Sequence, residues 1–511
     1  MTPVTAQTLR AWIADGAELA LLDAREEAEF GRAHPFWATP CPLSQAELRL
    51  PTFLPRPDVR IVCIDDGGGL AQRLAGLVEA RGGGKIQILE NITAAWPTAG
   101  GVLFSGVNVP SKAFGEWVEH HYATPSIDAA ELQSWIEGGK KIEVLDSRPF
   151  DEFTRMSIPT GRCVPGGELA YRIADLVPDP ATTVVVNCAG RTRSILGAES
   201  LRRAGIPNPV LALRNGTMGW RLAGLDTARG ETATYTPGTP RSAAAALARA
   251  QVFARAAGVC TIDAATLARF EADPTRTTYV LDVRAPAEYA AGHHPGSRNA
   301  PGGQLVQATD RWIAVRGARI CLLDDTGPRA LMAAAWLRQM GFRDVFTASL
   351  GGTLLSGSEP TPTPPDAPLA DVGQIPGALV IDLARSTEFR EAHIPGAIWG
   401  LRSRLALRRD PLAAASRVIL TSSDGTLARW AVAEAQSLTA APVAALAGGT
   451  AGWPHPLAAS RDDPPDDSCL DAYLRPYDRN SGIEAAMRDY LSWEIDLVHE
   501  VERDGQAQFG V

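Results

Sequence analysis

The sequence predicts an α/β protein of four tandem domains, each a small parallel sheet with helices on both faces, followed by a helical C-terminal tail. Three observations lead to this prediction. The chain has 511 residues, which is too long for one hydrophobic core and favours several domains. A pair of strand-like apolar segments recurs four times at nearly constant spacing, which indicates an internal repeat. These segments alternate with stretches of helical pattern, as is typical of parallel sheets covered on both faces.

The two strand-like segments of each repeat are recognised by their sequence and spacing. The first reads ALLDAR, EVLDSR, YVLDVR or LVIDLAR, with its aspartate at Asp23, Asp146, Asp282 or Asp382. An acidic–aromatic pair follows at Glu29-Phe30, Glu152-Phe153, Glu288-Tyr289 and Glu388-Phe389. The second segment reads RIVCID, TVVVNC, RICLLD or RVILTS and ends at Asp65, Cys188, Asp324 or Ser422. The two positions are 42, 42, 42 and 40 residues apart, so the four repeats share one architecture.

Each repeat then continues with a loop of small residues and an Ala/Leu/Arg-rich helical stretch. It closes on a third short strand and a Gly/Thr turn, as in NGTMGW at Asn215–Trp220. Linkers are predicted at the GVNVPSKAFGEW segment, at Tyr235–Ala246 and at the Pro-rich Ser358–Pro368. We therefore predict domains over residues 1–105, 106–230, 250–357 and 366–460. The tail, 461–511, is predicted to be helical and packed back on a neighbouring domain.

Composition excludes several classes of protein. No run of about 18 apolar residues indicates a membrane span, and Asp15 and Glu18 lie where a secretory signal would be apolar. The net charge of −9 argues against a general nucleic-acid binder. The seven cysteines are scattered without a C-x-x-C pair, which is typical of reduced thiols rather than a disulfide framework or zinc site. We expect a cytoplasmic protein with no metal, no cofactor and no nucleic-acid or membrane partner.

The loop after the second strand of the second repeat is the candidate functional site. Ligands of open α/β sheets bind at the carboxyl ends of strands, against helix N-termini. This loop runs from Cys188 to Arg193, and Ser194 is expected to open the next helix. Backbone N–H groups, the helix dipole and two guanidinium groups would all favour the thiolate of Cys188. The sequence therefore predicts a reactive nucleophile here, whereas Cys63 and Cys321 lie inside strands as buried filler.

These motifs resemble those of the rhodanese family, including bacterial proteins with four such domains. The likeness is most specific over Ser126–Leu225, with VLDSRPFDEF, VVNCAGRTRS and LRNGTMGW, and its skeleton covers about four-fifths of the chain. In rhodaneses the matching cysteine takes a sulfane sulfur from a donor, becomes a persulfide and passes the sulfur to a thiophilic acceptor. The resemblance implies a sulfurtransferase in which Cys188 is catalytic. It also implies a substrate-binding cradle formed by Ala189, Gly190, Arg191, Thr192, Arg193 and Ser194.

The length and charge of the loop bear on the chemistry and the donor. Arg193 follows Cys188 as C-x4-R, whereas related phosphatases carry the wider C-x5-R cradle, so a phosphatase or arsenate reductase is disfavoured. Guanidinium groups suit the sulfonate oxygens of thiosulfate, and we expect this small-molecule donor with a thiol or cyanide as acceptor. A mainly scaffolding multi-domain protein is an alternative function, and a homodimer is an alternative to a monomer.

The other three repeats carry no sulfur nucleophile at this position. Asp65, Asp324 and Ser422 stand there instead, and none can form a persulfide. Asp and Ser are favoured helix N-caps, so these cradles are expected to be satisfied by the protein itself, with depressed pKa values at the aspartates. We therefore predict one working site and three structural or regulatory copies. Cys163 and Arg162 are candidates for reaching the working site, as a resolving thiol and a residue at its mouth.

Overall fold

A computed structural model of the protein describes residues 2–510 and contains four mainly parallel sheets, one in each repeat. Within every sheet the order is an N-terminal edge strand, then the third, second and first long strands, then a short edge strand. The predicted α/β class, with parallel sheets flanked by helices and a C-terminal helix, is confirmed. The domain boundaries stay a prediction. Met1, the first residue of the first predicted domain, and Val511, the last residue of the predicted tail, lie outside the described residues.

The first repeat carries its sheet and a separate antiparallel pair formed by its third and seventh strands. Its strands are β1 (Thr2–Pro3), β2 (Leu19–Asp23), β3 (His34–Pro35), β4 (Thr39–Pro40), β5 (Arg60–Ile64), β6 (Lys85–Leu89) and β7 (Leu103–Phe104). Its helices are α1 (Ala6–Ala14), α2 (Glu27–Phe30), α3 (Ala46–Phe53), α4 (Leu70–Ala80) and α5 (Ile92–Thr98).

The second repeat begins with a helix where the sequence predicted a linker. Its helices are α6 (Val109–Tyr122), α7 (Ala129–Glu137), α8 (Phe150–Arg155), α9 (Gly166–Leu176), α10 (Thr192–Arg203) and α11 (Gly216–Leu222). Its strands are β8 (Ser126–Ile127), β9 (Ile142–Asp146), β10 (Arg162–Cys163), β11 (Thr183–Asn187) and β12 (Val210–Leu213). The linker prediction was wrong because Val109, Phe114 and Val118 bury one face of α6. The predicted Gly/Thr turn NGTMGW was also wrong, since it forms most of α11.

The third and fourth repeats keep the same plan. The strands are β13 (Cys260–Thr261), β14 (Thr278–Asp282), β15 (Arg298–Asn299), β16 (Val315–Arg316), β17 (Arg319–Asp324), β18 (Val345–Ser349), β19 (Leu369–Ala370), β20 (Leu379–Asp382), β21 (Ile398–Trp399), β22 (Val418–Thr421) and β23 (Val443–Leu446). The helices are α12 (Ala243–Ala256), α13 (Ala264–Glu271), α14 (Pro286–Ala291), α15 (Gly302–Gln307), α16 (Pro328–Gln339), α17 (Ser386–Glu391), α18 (Arg409–Ala414) and α19 (Thr426–Gln436). Helix α12 begins inside the predicted linker Tyr235–Ala246, whereas Ser358–Pro368 contains neither helix nor strand.

A buried ion pair explains the aspartate that ends the first strand of three repeats. In the second repeat Arg148 donates to the Asp146 carboxylate through Nε at 2.8 Å and Nη2 at 2.7 Å. The same Nη2 donates to the carbonyl of Met156 at 2.7 Å, which ties the strand end to the chain after α8. Equivalent pairs are Asp23–Arg25 and Asp282–Arg284. A buried charge needs such a partner, so the motif is structural.

The repeats make extensive contacts with one another. Strand β16 of the third repeat pairs antiparallel with β2 of the first, with Val315 opposite Ala20, and one hydrophobic cluster takes residues from the first three repeats. The tail forms helix α20 (Ile483–Asp504), which packs against α6. Within residues 2–510, no helix is long and apolar enough to cross a membrane.

Candidate active site

Cys188 lies directly after β11, beside the first turn of α10. Its side chain is 2% exposed, and Sγ lies 3.6 Å from Oγ of Ser194. The Ser194 hydroxyl donates to the carbonyl of Arg191 at 2.8 Å. Helix α10 begins at Thr192, two residues earlier than the predicted start at Ser194. The free N–H groups and dipole of a helix N-terminus attract an anion, so a negatively charged group can be held at this position.

The start of α11 holds the Cys188 loop in shape. The backbone N–H of Thr217 donates to the carbonyl of Cys188 at 2.8 Å, and that of Met218 donates to the carbonyl of Ala189 at 2.9 Å. Gly216 has a positive φ of 54°, and a Cβ there would lie 2.4 Å from the Cys188 carbonyl oxygen. No larger residue fits so close to the loop. The NGT sequence that closes the repeat is therefore a support for the candidate site.

A small pocket of about 50 Å³ opens at this loop. Its lining includes Cys188, Ala189, Gly190, Arg191, Thr192 and Arg193 from the loop, which the sequence placed in one site. Its lining also includes Lys112 of α6 and Tyr473, Arg475, Tyr477, Tyr490 and Glu494 of the C-terminal tail. Sequence reasoning missed these residues, because the helical pattern of the tail indicates a packed helix without indicating which surface it covers.

The two loop arginines occupy different electrostatic settings. Arg191 donates from Nε and Nη2 to Glu116 at 2.8 and 2.6 Å, and also pairs with Glu119. Burial raises the pKa of Glu116 to about 7, against the lowering effect of Arg191. Arg193 donates from Nη1 and Nη2 to Glu152 at 2.9 and 2.8 Å. Arg191 thus pairs with two carboxylates of α6, whereas Arg193 pairs with one carboxylate, Glu152.

A second arginine shares that carboxylate. Arg475 of the tail places Nη1 3.8 Å from Oε2 of Glu152 and donates to the hydroxyl of Tyr477 at 3.1 Å. Arg193 and Arg475 both line the pocket beside Cys188, and both lie within 4 Å of the same carboxylate, Glu152. Two guanidinium groups that share one carboxylate keep part of their charge available for a small anion.

Tail and loop also meet at a buried carboxylate. Glu494 is 1% exposed, and its Oε1 accepts a hydrogen bond from the hydroxyl of Thr192. The same Oε1 lies 3.4 Å from Nζ of Lys112. Lys112 also bonds the hydroxyl of Tyr490. The second carboxylate oxygen, Oε2, has no hydrogen-bond partner among the described residues. The tail is therefore tied to the Cys188 loop by charged groups as well as by packing.

Comparison with known proteins identifies the family. The model of the rhodanese-like domain family matches residues 128–223 and 264–352. A solved structure, the crystal structure of a thiosulfate sulfurtransferase from Pseudomonas aeruginosa, is 44% identical, covers 100% of both chains and superposes with a TM-score of 0.94. This chain belongs to the rhodanese family. The Cys188 loop lies inside the first stretch that matches the rhodanese-like domain, and the Asp324 loop lies inside the second.

Shorter solved structures match single stretches. A protein from Bacillus halodurans is 22% identical over 22% of this chain and 83% of its own, with a TM-score of 0.19. A rhodanese-like domain from Anabaena sp. is 23% identical over 23% of this chain and 92% of its own, also with a TM-score of 0.19. A search of curated proteins found no match.

Two residues near the rhodanese loop in sequence lie away from the pocket. The thiol of Cys163 donates to the carbonyl of Arg148 at 3.4 Å, and burial raises its pKa to about 12. Its strand β10 is separated from β11 by β9. Arg162 donates from Nε to Glu143 at 2.9 Å. Among the described residues, neither side chain lines the Cys188 pocket, so the structure does not support a resolving thiol or a mouth arginine here.

In the other three repeats the protein satisfies its own rhodanese cradle, as predicted. The bonds are Gly67 N and Ala71 N to Asp65, Arg329 N and Ala330 N to Asp324, and Ala428 N to Ser422. The expected depression of the Asp324 pKa was wrong. Burial raises the pKa of this carboxyl and outweighs Arg329, which lowers it. The expectation counted the hydrogen bonds and omitted desolvation.

The Glu152–Arg193 pair gives a pH-dependent prediction. Although burial acts to raise the pKa of Glu152, the charge of Arg193 lowers it from 4.5 to about 2. A depressed folded pKa stabilises the protein above the unfolded pKa, and this contribution disappears as pH falls toward 2. Glu152→Gln should therefore lower the free energy of unfolding by roughly 2–3 kcal/mol near neutral pH. In urea denaturation the deficit should shrink as pH falls below about 4. A deficit independent of pH would contradict this account.

Proposed function

We propose that this chain is a sulfurtransferase that moves a sulfane sulfur from thiosulfate, through a persulfide on Cys188, to a thiol or cyanide acceptor. The observation that carries the proposal is the pocket itself, where Cys188 lies beside the first turn of α10 and next to Arg193 and Arg475. The name of the 44% identical relative, a thiosulfate sulfurtransferase, supports the same reaction.

The first half-reaction uses the thiolate of Cys188 as nucleophile. Its sulfur attacks the outer sulfur of thiosulfate, a new S–S bond forms, and the S–S bond of thiosulfate breaks. The electron pair of that bond leaves with sulfite. Negative charge moves onto the sulfite oxygens as this happens, so the guanidinium groups of Arg193 and Arg475 stabilise the leaving group.

The second half-reaction returns the enzyme to its starting state. A thiolate or cyanide attacks the outer sulfur of the persulfide and forms a bond to it. The Cys188–S bond breaks, and its electron pair restores the thiolate, which the first turn of α10 again stabilises. No oxidant or reductant is consumed. The alternative phosphatase or arsenate reductase chemistry is disfavoured by the short C-x4-R loop.

The deciding experiment is intact-mass spectrometry of the full chain. Incubation with thiosulfate should add the mass of one sulfur atom, and cyanide should remove it with release of thiocyanate. Incubation with a phosphate-ester substrate should leave the mass unchanged and release no phosphate. Phosphate release without any sulfur adduct would reverse the assignment, and absence of both reactions would favour the scaffolding alternative.

Substitutions of the two loop arginines are expected to differ in how their effect on kcat/KM depends on the charge of the sulfur donor. Arg193→Ala should reduce kcat/KM for thiosulfate by about 10- to 100-fold, because a charge-assisted hydrogen bond of roughly 1.5–3 kcal/mol is lost. Its effect on an uncharged organic persulfide donor should be smaller. Arg191→Ala should reduce kcat/KM equally for both donors. Arg191 is neutralised by Glu116 and Glu119 and acts by shaping the loop. Arg202→Ala, at the far end of α10, is the matched control. If Arg193→Ala lowered kcat/KM equally for both donors, Arg193 would not be part of the anion-binding site.

A further inference from the structure

A second, much larger cavity shares no lining residue with the Cys188 pocket. It has a volume of about 730 Å³ and lies between the first repeat, the third repeat and the residues that follow α20. In the first repeat the end of α1 and the start of β2 line the cavity, and in the third repeat the residues around β16 and before β18 line it. A cavity of roughly 300–1,000 Å³ is the size that binds small ligands.

The cavity is unusually rich in arginine. The charged residues of its lining are Arg10, Arg56, Arg276, Arg316, Arg343, Glu18, Asp344 and Asp504. Glu18 is shared by Arg56 and Arg276, and Asp344 pairs with Arg276 at 2.7 Å. Among the described residues, no carboxylate pairs with Arg316 or Arg343. Five arginines against three carboxylates leave a positive excess in the cavity.

Arg316 is the least compensated of these cations. Its guanidinium lies over the ring of Trp37, with Cζ 3.6 Å from the ring centroid. Burial and the nearby charge of Arg343 lower the pKa of Arg316 to about 9. A guanidinium is one of the most basic groups in proteins, so a shift of this direction marks a partly desolvated cation that lacks a negative partner.

Several buried polar atoms of the lining also lack hydrogen-bond partners among the described residues. They are Nε1 of Trp37, Nε of Arg56, Oδ2 of Asp504, and both side-chain polar atoms of Gln506. Buried polar groups in proteins are nearly always hydrogen-bonded. A cluster of such atoms around one cavity indicates a ligand with several donors and acceptors, and three of these five atoms, on Trp37 and Gln506, belong to uncharged side chains.

We propose that this cavity binds a small organic dianion, such as a phosphate monoester or a dicarboxylate, whose charged group lies between Arg316 and Arg343. The polar remainder of the ligand bonds the side chains of Trp37 and Gln506. The inference is independent of the sulfur-transfer proposal, because none of these residues lines the Cys188 pocket.

Isothermal titration calorimetry of the full chain at low ionic strength tests the site. The ligands are AMP as a phosphate monoester, succinate as a dicarboxylate, and adenosine as the uncharged control. We expect one of the two dianions to bind with a Kd below about 1 mM and adenosine not to bind. Arg316→Ala and Arg343→Ala should each weaken that binding by about tenfold or more. Arg269→Ala, which removes an exposed arginine of α13 in the same repeat, should leave it unchanged.

Three results would overturn the proposal: no heat with either dianion, equal binding of adenosine, or unchanged binding in Arg343→Ala. Arg343 is exposed, so its variant should fold even if Arg316→Ala does not. Sulfur transfer in Arg343→Ala, measured in parallel, reports whether the protein remains intact and keeps failure of this site distinct from failure of the Cys188 site.

Discussion

Cys188→Ser is expected to abolish sulfur transfer while leaving the fold intact. A hydroxyl is not deprotonated near neutral pH and cannot carry a sulfane sulfur, whereas its size fits the small space beside Ser194. Turnover with thiosulfate and cyanide should fall to the level of the uncatalysed reaction. Intact mass after incubation with thiosulfate should show no added sulfur, and the melting temperature should stay close to that of the parent protein.

Matched cysteine variants sharpen this experiment. Cys63, Cys163 and Cys321 are buried thiols whose pKa values are raised by burial, so they are poor nucleophiles. Replacing any of them with serine should leave measurable turnover and the sulfur adduct. If Cys188→Ser kept full activity, or if the adduct moved to Cys163, the single-site proposal would fail.

Much of the fold follows from local pattern. The strand-like segments recur at a spacing of 40 to 42 residues, and each pair forms neighbouring parallel strands. In three repeats the aspartate that ends the first strand forms a buried ion pair with an arginine two residues later. The place of the Cys188 loop was also predictable, because strand ends and helix N-termini meet at one edge of a parallel sheet, although its last two predicted residues, Thr192 and Arg193, belong to α10.

The rest of the site depends on contacts between residues far apart in the chain. Glu116 of α6 pairs with Arg191 at the edge of the pocket, and Arg475 of the tail joins Arg193 at Glu152. Hydrophobic periodicity predicts a helix without its partner surface, so neither contact could be read from the pattern. The raised pKa of Asp324 escaped prediction for the same reason, since desolvation depends on the packed surroundings.

The third repeat contains a buried charge network in place of a nucleophile. Arg329 occupies the position that Arg193 has in the second repeat, and its side chain is fully buried. It pairs with Asp324 at 2.9 Å and Glu288 at 2.7 Å within the repeat. It also reaches Glu168 of α9 in the second repeat at 3.0 Å. The guanidinium of Arg329 therefore pairs with the aspartate that replaces the cysteine in this repeat, and it also links the second and third repeats.

Arg329→Met is expected to cause the largest loss of stability among the substitutions considered. Methionine fills most of the volume but leaves the buried carboxylate of Asp324 without its cation, which costs about 3–5 kcal/mol. Arg269→Met, on the exposed face of α13, should change stability by less than about 0.5 kcal/mol. Urea denaturation of both variants measures the difference.

The sign of the pH dependence tests the mechanism. Burial already raises the pKa of Asp324, and loss of Arg329 removes the charge that opposes this shift. A carboxyl with a raised folded pKa favours the folded state when protonated, so its destabilising effect grows as pH rises through the folded pKa. The deficit of Arg329→Met should therefore be larger near pH 7 than near pH 5. A deficit that grew on acidification would mean that the carboxylate is stabilised by groups other than Arg329.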